Sequence, residues 1–320
     1  MKNENGIKEL YEKFQTGDRL ALARIISLVE NRMEGFEEIL HNIFPFTGEA
    51  HRIGITGPPG AGKSTLTSHV AKAFRAADNK IGIIAVDPTS PFTGGAILGD
   101  RVRMTDIGLD PDVFIRSMAT RGSIGGLAIA TKEVGDVLDA FGKDIVIMET
   151  VGVGQSELDI VSAADTTVVV LVPESGDGIQ TMKAGLMEIA DIFVINKADR
   201  DGANGLAREI EAMLSMRQSG DGWDIPVLLT TAVRAEGVEE LVAAIGQHRQ
   251  FLESSHLLEK RRKERIRKRI SDIVNQRIQT LLWENEDIKK LVDEYLAASE
   301  ESRETPYTLA ELVVKKLGIE

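Results

Sequence analysis

Residues 57–64, with the sequence GPPGAGKS, have the residue types and the spacing of a phosphate-binding loop. Glycines let backbone N–H groups surround a phosphate, and the start of a following helix adds partial positive charge. In this pattern Lys63 reaches the β- and γ-phosphates, and the Ser64 hydroxyl can bind Mg²⁺. The residues that we expect to bind nucleotide phosphates are Gly57, Pro58, Pro59, Gly60, Ala61, Gly62, Lys63, Ser64 and Thr65.

A second segment, Asn196-Lys197-Ala198-Asp199, matches the NKxD pattern of guanine recognition. The Asp199 carboxylate can accept hydrogen bonds from N1–H and the 2-amino group of guanine, whereas adenine offers neither donor at that edge. Thr231-Ala232-Val233 ends the next apolar run, where GTPases place a backbone contact to the guanine oxygen. The nucleotide is therefore predicted to be GTP or GDP. The residues expected at the base are Asn196, Lys197, Asp199, Thr231, Ala232 and Val233.

Three carboxylates, Glu149, Asp87 and Asp100, are candidates for positions near the phosphates. Glu149 ends an apolar run and is followed by Thr150-Val151-Gly152, which resembles the DxxG motif of GTPases with glutamate in place of aspartate. A carboxylate there can hold Mg²⁺ through a water, and the Gly152 amide can sense the γ-phosphate. Asp87 ends another apolar run, and Asp100 lies among glycines. For both, capping of a turn is the alternative interpretation.

One residue expected in a small Ras-like GTPase is missing. Such proteins keep a water-orienting glutamine directly after the DxxG glycine, but Val153 occupies that place and Gln155 lies further along the chain. We therefore predict slow intrinsic hydrolysis that a rearranged loop or a partner accelerates.

These candidate residues follow short apolar runs that alternate with amphipathic stretches. Continuous runs rich in Ile and Val are typical of strands covered on both faces, and helical spacers are typical of parallel crossovers. The runs are 52–56, 81–87, 113–117, 144–150, 166–173, 191–197 and 225–231. The predicted fold class is therefore α/β, with a doubly wound, mostly parallel sheet of about seven strands whose carboxyl ends carry the ligand-binding loops.

Helical spacing on both sides of this region predicts a division of the chain into three parts. Residues 1–48 are predicted to form a helical N-terminal extension, 49–248 the GTPase domain, and 249–320 a helical arm that packs on the domain or on a second subunit.

Composition excludes several classes of protein. The 320 residues are 42% hydrophobic and carry a net charge of -12, which argues against broad contact with nucleic acid or anionic lipid. The absence of cysteine excludes disulfides and thiolate metal sites. We find neither a long apolar run nor a secretory signal in the sequence, and we therefore expect a cytoplasmic protein.

Together these motifs resemble the MeaB/ArgK-type GTPases, the chaperones associated with methylmalonyl-CoA mutase. The resemblance extends from about residue 10 to the C-terminus and is most specific between 53 and 200. Besides the phosphate loop, the segments that carry it are AVDPTSPFTGGAILGDRVRM (85–104), SMATRGSIGGLA (117–128), METVGVGQSELDI (148–160) and ESGDGIQTMKAGLMEIADIFVINKAD (174–199).

The resemblance implies a homodimeric GTPase that binds a cobalamin-dependent acyl-CoA mutase, gates its loading with adenosylcobalamin, and protects or reactivates it. Residues 177–183 are similar to an additional switch that couples the mutase to hydrolysis, and 281–296 to a dimerisation segment. Lys183 can supply positive charge that the missing glutamine leaves unfilled, although a surface lysine is the alternative. The implied catalytic residues are Lys63, Asp87, Asp100, Glu149 and Lys183. The implied metal residues are Ser64, Asp100 and Glu149.

Other functions are kept as alternatives. A metal-delivery GTPase of the nickel-insertion type shares the glutamate motif, but five histidines scattered singly and no cysteine disfavour it. A signal-recognition type of GTPase requires a Met-rich or basic RNA-binding module, which we do not find. A nucleotide switch with a different client also fits the motifs. The signature of a protein kinase is absent from the sequence.

Overall fold

The computed structural model describes residues 2–87, 105–119, 124–150, 163–173, 186–216, 222–297 and 305–316. Several predicted site residues, namely Asp100, Gly152 and Lys183, lie outside these ranges, as do Val153 and Gln155. Asp87 lies within a strand, but its side chain is outside the described part.

Seven strands form one sheet in the order β3-β2-β4-β1-β5-β6-β7, and every neighbouring pair is parallel. The strands are β1 His51–Thr56, β2 Ile81–Asp87, β3 Val113–Ala119, β4 Ile145–Glu149, β5 Thr166–Leu171, β6 Ile192–Asn196 and β7 Val227–Thr230. Each corresponds to one predicted run, with ends that differ by a few residues. The prediction of a seven-stranded α/β fold is therefore confirmed.

Helices precede, connect and follow the strands. They are α1 Lys2–Gln15, α2 Arg19–Glu30, α3 Phe36–Ile43, α4 Lys63–Ala76, α5 Thr105–Gly108, α6 Ile124–Ala140, α7 Ala203–Ser215, α8 Val238–Ser254, α9 Leu257–Glu284, α10 Glu286–Ala297 and α11 Pro306–Lys316. Short 3₁₀ helices span Phe44–Phe46 and Ala232–Arg234. Among the described residues, no helix combines the length and the apolar character that a membrane span requires.

Helices cover both faces of the sheet, which explains why β4, β5 and β6 are buried at every residue rather than at alternate ones. On one face α1, α2, α3 and α6 share a core with β2, β3 and β4, and Leu22, Ile25 and Ile26 of α2 are fully buried there. On the other face α4 and α8 pack on the central strands. A third cluster joins α7 to β5 and β6. The N-terminal helices therefore belong to the same core as the sheet.

The chain divides into two compact units, residues 1–262 and 263–320. In the second unit α10 and α11 contact each other, and Ile288 and Val313 are buried. On α9 this unit exposes apolar side chains three or four residues apart. These side chains are Ile266, Ile270, Val274, Ile278 and Leu281. The functional division of the chain at 48/49 and 248/249 stays a prediction.

A buried polar network joins β1, β5 and β6 at the N-terminal edge of the sheet. His51 Nε2 lies 2.8 Å from the Thr166 hydroxyl, which lies 2.9 Å from Nδ1 of His248 in α8. His248 Nε2 lies 3.2 Å from Asp191 Oδ1. The ring of Trp223 packs on His248, and its indole N–H donates to the Asp191 carbonyl at 2.8 Å. Two histidines that are far apart in sequence thus share one hydroxyl.

Arg262 lies in the first turns of α9, within the first unit, and contacts the same edge. Its guanidinium donates to both carboxylate oxygens of Asp165, at 3.2 and 2.8 Å. It also donates to the carbonyls of Gly48 and Ala50. One side chain therefore joins the start of α9 to the segments that precede β1 and β5.

Burial and local charge shift the titration of this network. Burial opposes ionisation of Asp191, but the hydrogen bond and charge of His248, the Arg261 guanidinium and the N–H of Thr167 outweigh it and hold the pKa of Asp191 below its usual range. Burial lowers the pKa of His51 to about 4, against a smaller opposite effect of Asp165. His51 is therefore neutral at physiological pH.

The free energy of unfolding should fall as the pH is lowered from 7 to 4. The ordinary pKa of the His51 ring is 6.5 and its folded value is about 4, so between these values the unfolded chain binds a proton that the folded protein rejects. The stability is thus complete above pH 6.5 and is lost towards pH 4, by about 3 kcal/mol for this shift. Urea unfolding at each pH measures the loss.

The matched variant is His51→Gln, which keeps an N–H donor for Thr166 but cannot titrate. Its free energy of unfolding should decline less steeply over the same pH range than that of the unchanged protein. Equal declines in the two proteins would contradict the prediction.

Candidate functional site

The loop of residues 57–62 leaves the central strand β1 and leads into α4. It passes through positive φ at Gly57 (+140°), Gly60 (+74°) and Gly62 (+87°). A Cβ atom on Gly57 would lie 1.9 Å from the Val170 carbonyl oxygen of β5, and one on Gly62 would lie 2.4 Å from Asn196 Nδ2. Because real Cβ atoms do not approach so closely, glycine lets this loop lie directly against β5 and the NKxD segment.

Lys63 is the first residue of α4 and is only 6% exposed. Its ammonium group donates to the carbonyl of Gly57 at 2.8 Å and to that of Pro58 at 3.1 Å, so the side chain folds back over the loop. A buried positive charge and the N-terminus of a helix thus converge at the same loop. This combination favours binding of an anion such as a nucleotide phosphate.

The loop meets the end of β4 through Ser64 and Glu149. The Ser64 hydroxyl donates to Glu149 Oε1 at 2.6 Å, and both residues are buried. Hydroxyl and carboxylate oxygens are hard ligands of the kind that Mg²⁺ prefers, usually with one or two carboxylates and the phosphates of the substrate. The donor set present here therefore fits a magnesium ion. It is smaller than a dedicated cage: the described residues contain no group of three or more His, Asp or Glu side chains placed to hold a metal.

Asn196, the last residue of β6, joins the phosphate loop to the end of β7. Its side-chain N–H group donates to the Ala61 carbonyl at 2.7 Å. Its side-chain oxygen accepts from the Thr230 hydroxyl at 3.1 Å and from the Ala232 N–H at 3.0 Å. The NKxD segment and the segment that begins at Thr231 are thereby fixed relative to the loop. These hydrogen bonds allow one nucleotide to contact the phosphate loop, the NKxD segment and the segment that begins at Thr231.

The chain turns sharply after Asn196. Lys197 has a left-handed backbone with φ +57°, and the Ala198 N–H donates to the Thr230 carbonyl at 2.9 Å. Asp199 follows at the exposed end of this turn. On the neighbouring segment Thr231 is buried, whereas Val233 is 80% exposed. The residues predicted at the base thus occupy two adjacent loops at the carboxyl ends of β6 and β7.

Sequence reasoning missed two features of this site. One is the joint made by the Asn196 side chain, for which the NKxD pattern was a signal. The other is a buried hydrogen bond between the hydroxyls of Thr150 and Thr56, at 2.9 Å. Both threonines directly follow or end apolar runs, but the pattern does not pair them. Asp87, the last residue of β2, also lies at this edge, in register with Ala119 of β3.

Comparison with known proteins agrees with the fold and the motifs. A family model described as methylmalonyl-CoA mutase-associated GTPase MeaB matches residues 22–287. A Pyrococcus abyssi protein named as a GTPase is 49% identical over 318 residues, covering 97% of each chain. The mitochondrial methylmalonic aciduria type A homolog of Caenorhabditis elegans is 30% identical over 332 residues, covering 98% of this chain and 83% of that protein.

Among solved structures, that of an LAO/AO transport system kinase superposes with a TM-score of 0.76 at 28% identity, covering 98% of both chains. The family model spans most of the sequence, including the phosphate loop, the end of β4 and the NKxD segment. The predicted family, nucleotide class and activity are therefore confirmed: the chain is a GTPase that belongs to the MeaB family of methylmalonyl-CoA mutase-associated GTPases.

Proposed function

We propose that this GTPase is a chaperone of a cobalamin-dependent acyl-CoA mutase of the methylmalonyl-CoA type. It gates the loading of adenosylcobalamin and protects or reactivates the mutase. The description of the family and its match over residues 22–287 are the observation that carries the proposal, since they name the client class. The geometry supports the proposal because hydrogen bonds of the Asn196 side chain join the phosphate loop to the end of β7. A switch requires a nucleotide that contacts several connected segments at once.

In the proposed reaction, Lys63 and the backbone of the loop bind the phosphates, and Ser64, Glu149 and Asp100 hold Mg²⁺. The metal ion, when bound, neutralises charge on the β- and γ-phosphates. Glu149 orients the Ser64 hydroxyl through their 2.6 Å hydrogen bond. Asp87 and Asp100 complete the acidic surroundings of the attacking water, and Lys183 stabilises negative charge that develops during hydrolysis. Asp87 is supported by its place at the end of β2, beside β4, and Asp100 and Lys183 are supported by the sequence motifs and the resemblance.

The experiment for the client is a pull-down with the full chain, loaded with GDP or with a slowly hydrolysed GTP analogue, from the extract of its own cells. We expect recovery of an acyl-CoA mutase with one nucleotide in preference to the other, and faster GTP hydrolysis when that purified mutase is added. Recovery of no mutase and no stimulation would refute the chaperone role while leaving the GTPase intact.

The Lys183→Ala variant tests the proposed switch. If this lysine transmits the presence of the mutase, the stimulated rate of GTP hydrolysis should fall towards the unstimulated rate. An unchanged stimulation would contradict that role. Lys72, an exposed lysine of α4, provides the matched control, because Lys72→Ala should leave the stimulation intact.

The base-recognition role of Asp199 leads to a specificity prediction. In the Asp199→Asn variant the side-chain amide offers an N–H donor where guanine also presents donors, so affinity for GDP should fall by about 100-fold or more. Xanthosine diphosphate carries an acceptor at that position and should bind more tightly to the variant than GDP does. Competition binding with the two nucleotides measures both effects. A variant that still prefers GDP would show that another residue selects the base.

A homodimer is part of the proposal, through the arm that includes α9. The exposed apolar side chains from Ile266 to Leu281 support it, because a surface helix seldom exposes such a row without a partner. Light scattering should show a dimer for the unchanged chain and a monomer for Val274→Asp. The control Leu109→Asp changes an equally apolar residue, 88% exposed in the other unit, and should stay dimeric. A monomeric unchanged chain would refute this part.

The proposed location is the cytoplasm, without contact to nucleic acid or membrane.

A further inference from the structure

The hydroxyl pair formed by Thr56 and Thr150 lies where two segments of the nucleotide site leave the sheet. In the parallel ladder of β1 and β4, Ile55 is in register with Glu149, and the Thr150 N–H donates to the Ile55 carbonyl at 3.1 Å. The side chain of the same threonine makes a second contact with β1: the Thr150 hydroxyl donates to the Thr56 hydroxyl at 2.9 Å. Thr150 is 2% exposed and Thr56 is 0% exposed. The pair therefore extends the contact of the two strands by one buried side-chain hydrogen bond.

Each threonine of this pair is next in sequence to a residue that contacts the phosphate loop. Thr56 is followed by Gly57, whose carbonyl accepts from Lys63 at 2.8 Å. Thr150 is preceded by Glu149, whose carboxylate accepts from Ser64 at 2.6 Å. The hydroxyl pair is thus one residue from both groups that hold the side chains of the phosphate loop.

The hydroxyl pair restricts the backbone next to Glu149. The register of the strands ends at that residue, and the backbone hydrogen bond from the Thr150 N–H to the Ile55 carbonyl holds the next residue on β1 through the main chain alone. The hydrogen bond between the hydroxyls holds the next residue against β1 and so limits rotation of the Glu149 backbone. A hydroxyl that is fully buried has no water to replace a lost partner, which makes the bond costly to break.

We propose that Thr150 is a positioning residue for GTP hydrolysis and Thr56 is its partner. The pair touches no reacting atom. It acts by holding the Glu149 carboxylate where it meets the Ser64 hydroxyl, and so sets the affinity of the site for Mg²⁺. This inference rests on the proposed magnesium role of Ser64 and Glu149.

The test compares full-length chains that carry Thr150→Val, Thr150→Ser, Thr56→Val or both valine changes. Valine keeps the shape of threonine without the hydroxyl, and serine keeps the hydroxyl. The first readout is the release of radiolabelled GDP as a function of Mg²⁺ concentration, which does not depend on catalysis. The second is the single-turnover rate of GTP hydrolysis.

Thr150→Val should raise the Mg²⁺ concentration needed for half-maximal slowing of GDP release by about tenfold, as loss of an outer-shell contact to a metal ligand does. The single-turnover rate at limiting Mg²⁺ should fall in parallel. Affinity for GDP without Mg²⁺ should change by less than about twofold, because the loop backbone is intact. Thr150→Ser should restore both values, and the double valine variant should be no worse than Thr150→Val, since both changes break the same bond.

An unchanged Mg²⁺ dependence in Thr150→Val, a serine variant no better than valine, or effects of the two valines that multiply would each overturn the proposal. If Thr150→Val does not fold, Thr56→Val breaks the same hydrogen bond and is judged by the same criteria. A failure of the magnesium role itself would appear differently, as GDP release that is independent of Mg²⁺ in the unchanged protein. No mutase is present, so the client role does not affect the result.

Discussion

Alanine in place of Gly57 should strongly weaken nucleotide binding and lower the free energy of unfolding. The added Cβ atom would lie 1.9 Å from the Val170 oxygen and 2.9 Å from its carbonyl carbon, at a φ of +140° that side chains rarely adopt. Both obstacles are backbone, and β5 is a central, buried strand, so the loop has to move. We expect a loss of at least about 3 kcal/mol of stability and about 100-fold or more in affinity for GDP.

A control for this variant is Gly142→Ala, in the turn after α6. Gly142 also has a positive φ, +84°, but a Cβ atom there meets nothing within 4 Å. It should cost about 1–2 kcal/mol of stability, from backbone strain alone, and leave GDP binding unchanged. Urea unfolding followed by circular dichroism and calorimetric titration with GDP measure the two quantities. If Gly57→Ala behaved like Gly142→Ala, the packing of the phosphate loop against β5 would be wrong.

The Arg262→Ala variant should be destabilised by about 3–5 kcal/mol, because it leaves a buried carboxylate without its charged partner. The Asp165 side chain is 0% exposed, and Arg262 donates to both of its oxygens. The variant also removes the donors to the carbonyls of Gly48 and Ala50. The free energy of unfolding in urea at pH 7 is the measurement.

Two comparisons separate this buried contact from a general effect of losing an arginine. Arg249→Ala, which breaks a half-exposed pair with Glu253 one helical turn away, should cost less than about 1 kcal/mol. Adding Asp165→Asn to Arg262→Ala should recover part of the loss, since the uncompensated charge disappears. A cost for Arg262→Ala as small as that for Arg249→Ala would contradict the prediction.

The sheet could be predicted because each strand is a short, continuous apolar run, and such runs are distinctive when helices cover both faces. The loop from Gly57 to Ser64 was predictable for a different reason: its glycines and its lysine are required by phosphate geometry, whatever surrounds them. The turn that carries Asp199 was predictable because the NKxD residues are required by the geometry of the guanine base. These features depend on residues that are neighbours in sequence.

The parts that could not be predicted depend on residues brought together by the fold. His51 and His248 looked isolated in the sequence, yet they share the Thr166 hydroxyl. Asp165 and Arg262 show no pattern that pairs them, because their contact depends on where the chain places the first turns of α9 within the first unit. Local spacing carries no information about such partners, and burial decides their energetic weight.

The packing of Trp223 gives the protein a built-in optical probe. The chain has two tryptophans, and Trp223 is packed against His248 and Phe251 in the first unit, whereas Trp283 is 57% exposed in the second. Indole emission is blue-shifted in apolar surroundings and moves to longer wavelength when water reaches the ring. A single Trp283→Phe change therefore leaves an emission signal from the first unit alone, whose wavelength follows the integrity of the packing at the N-terminal edge of the sheet.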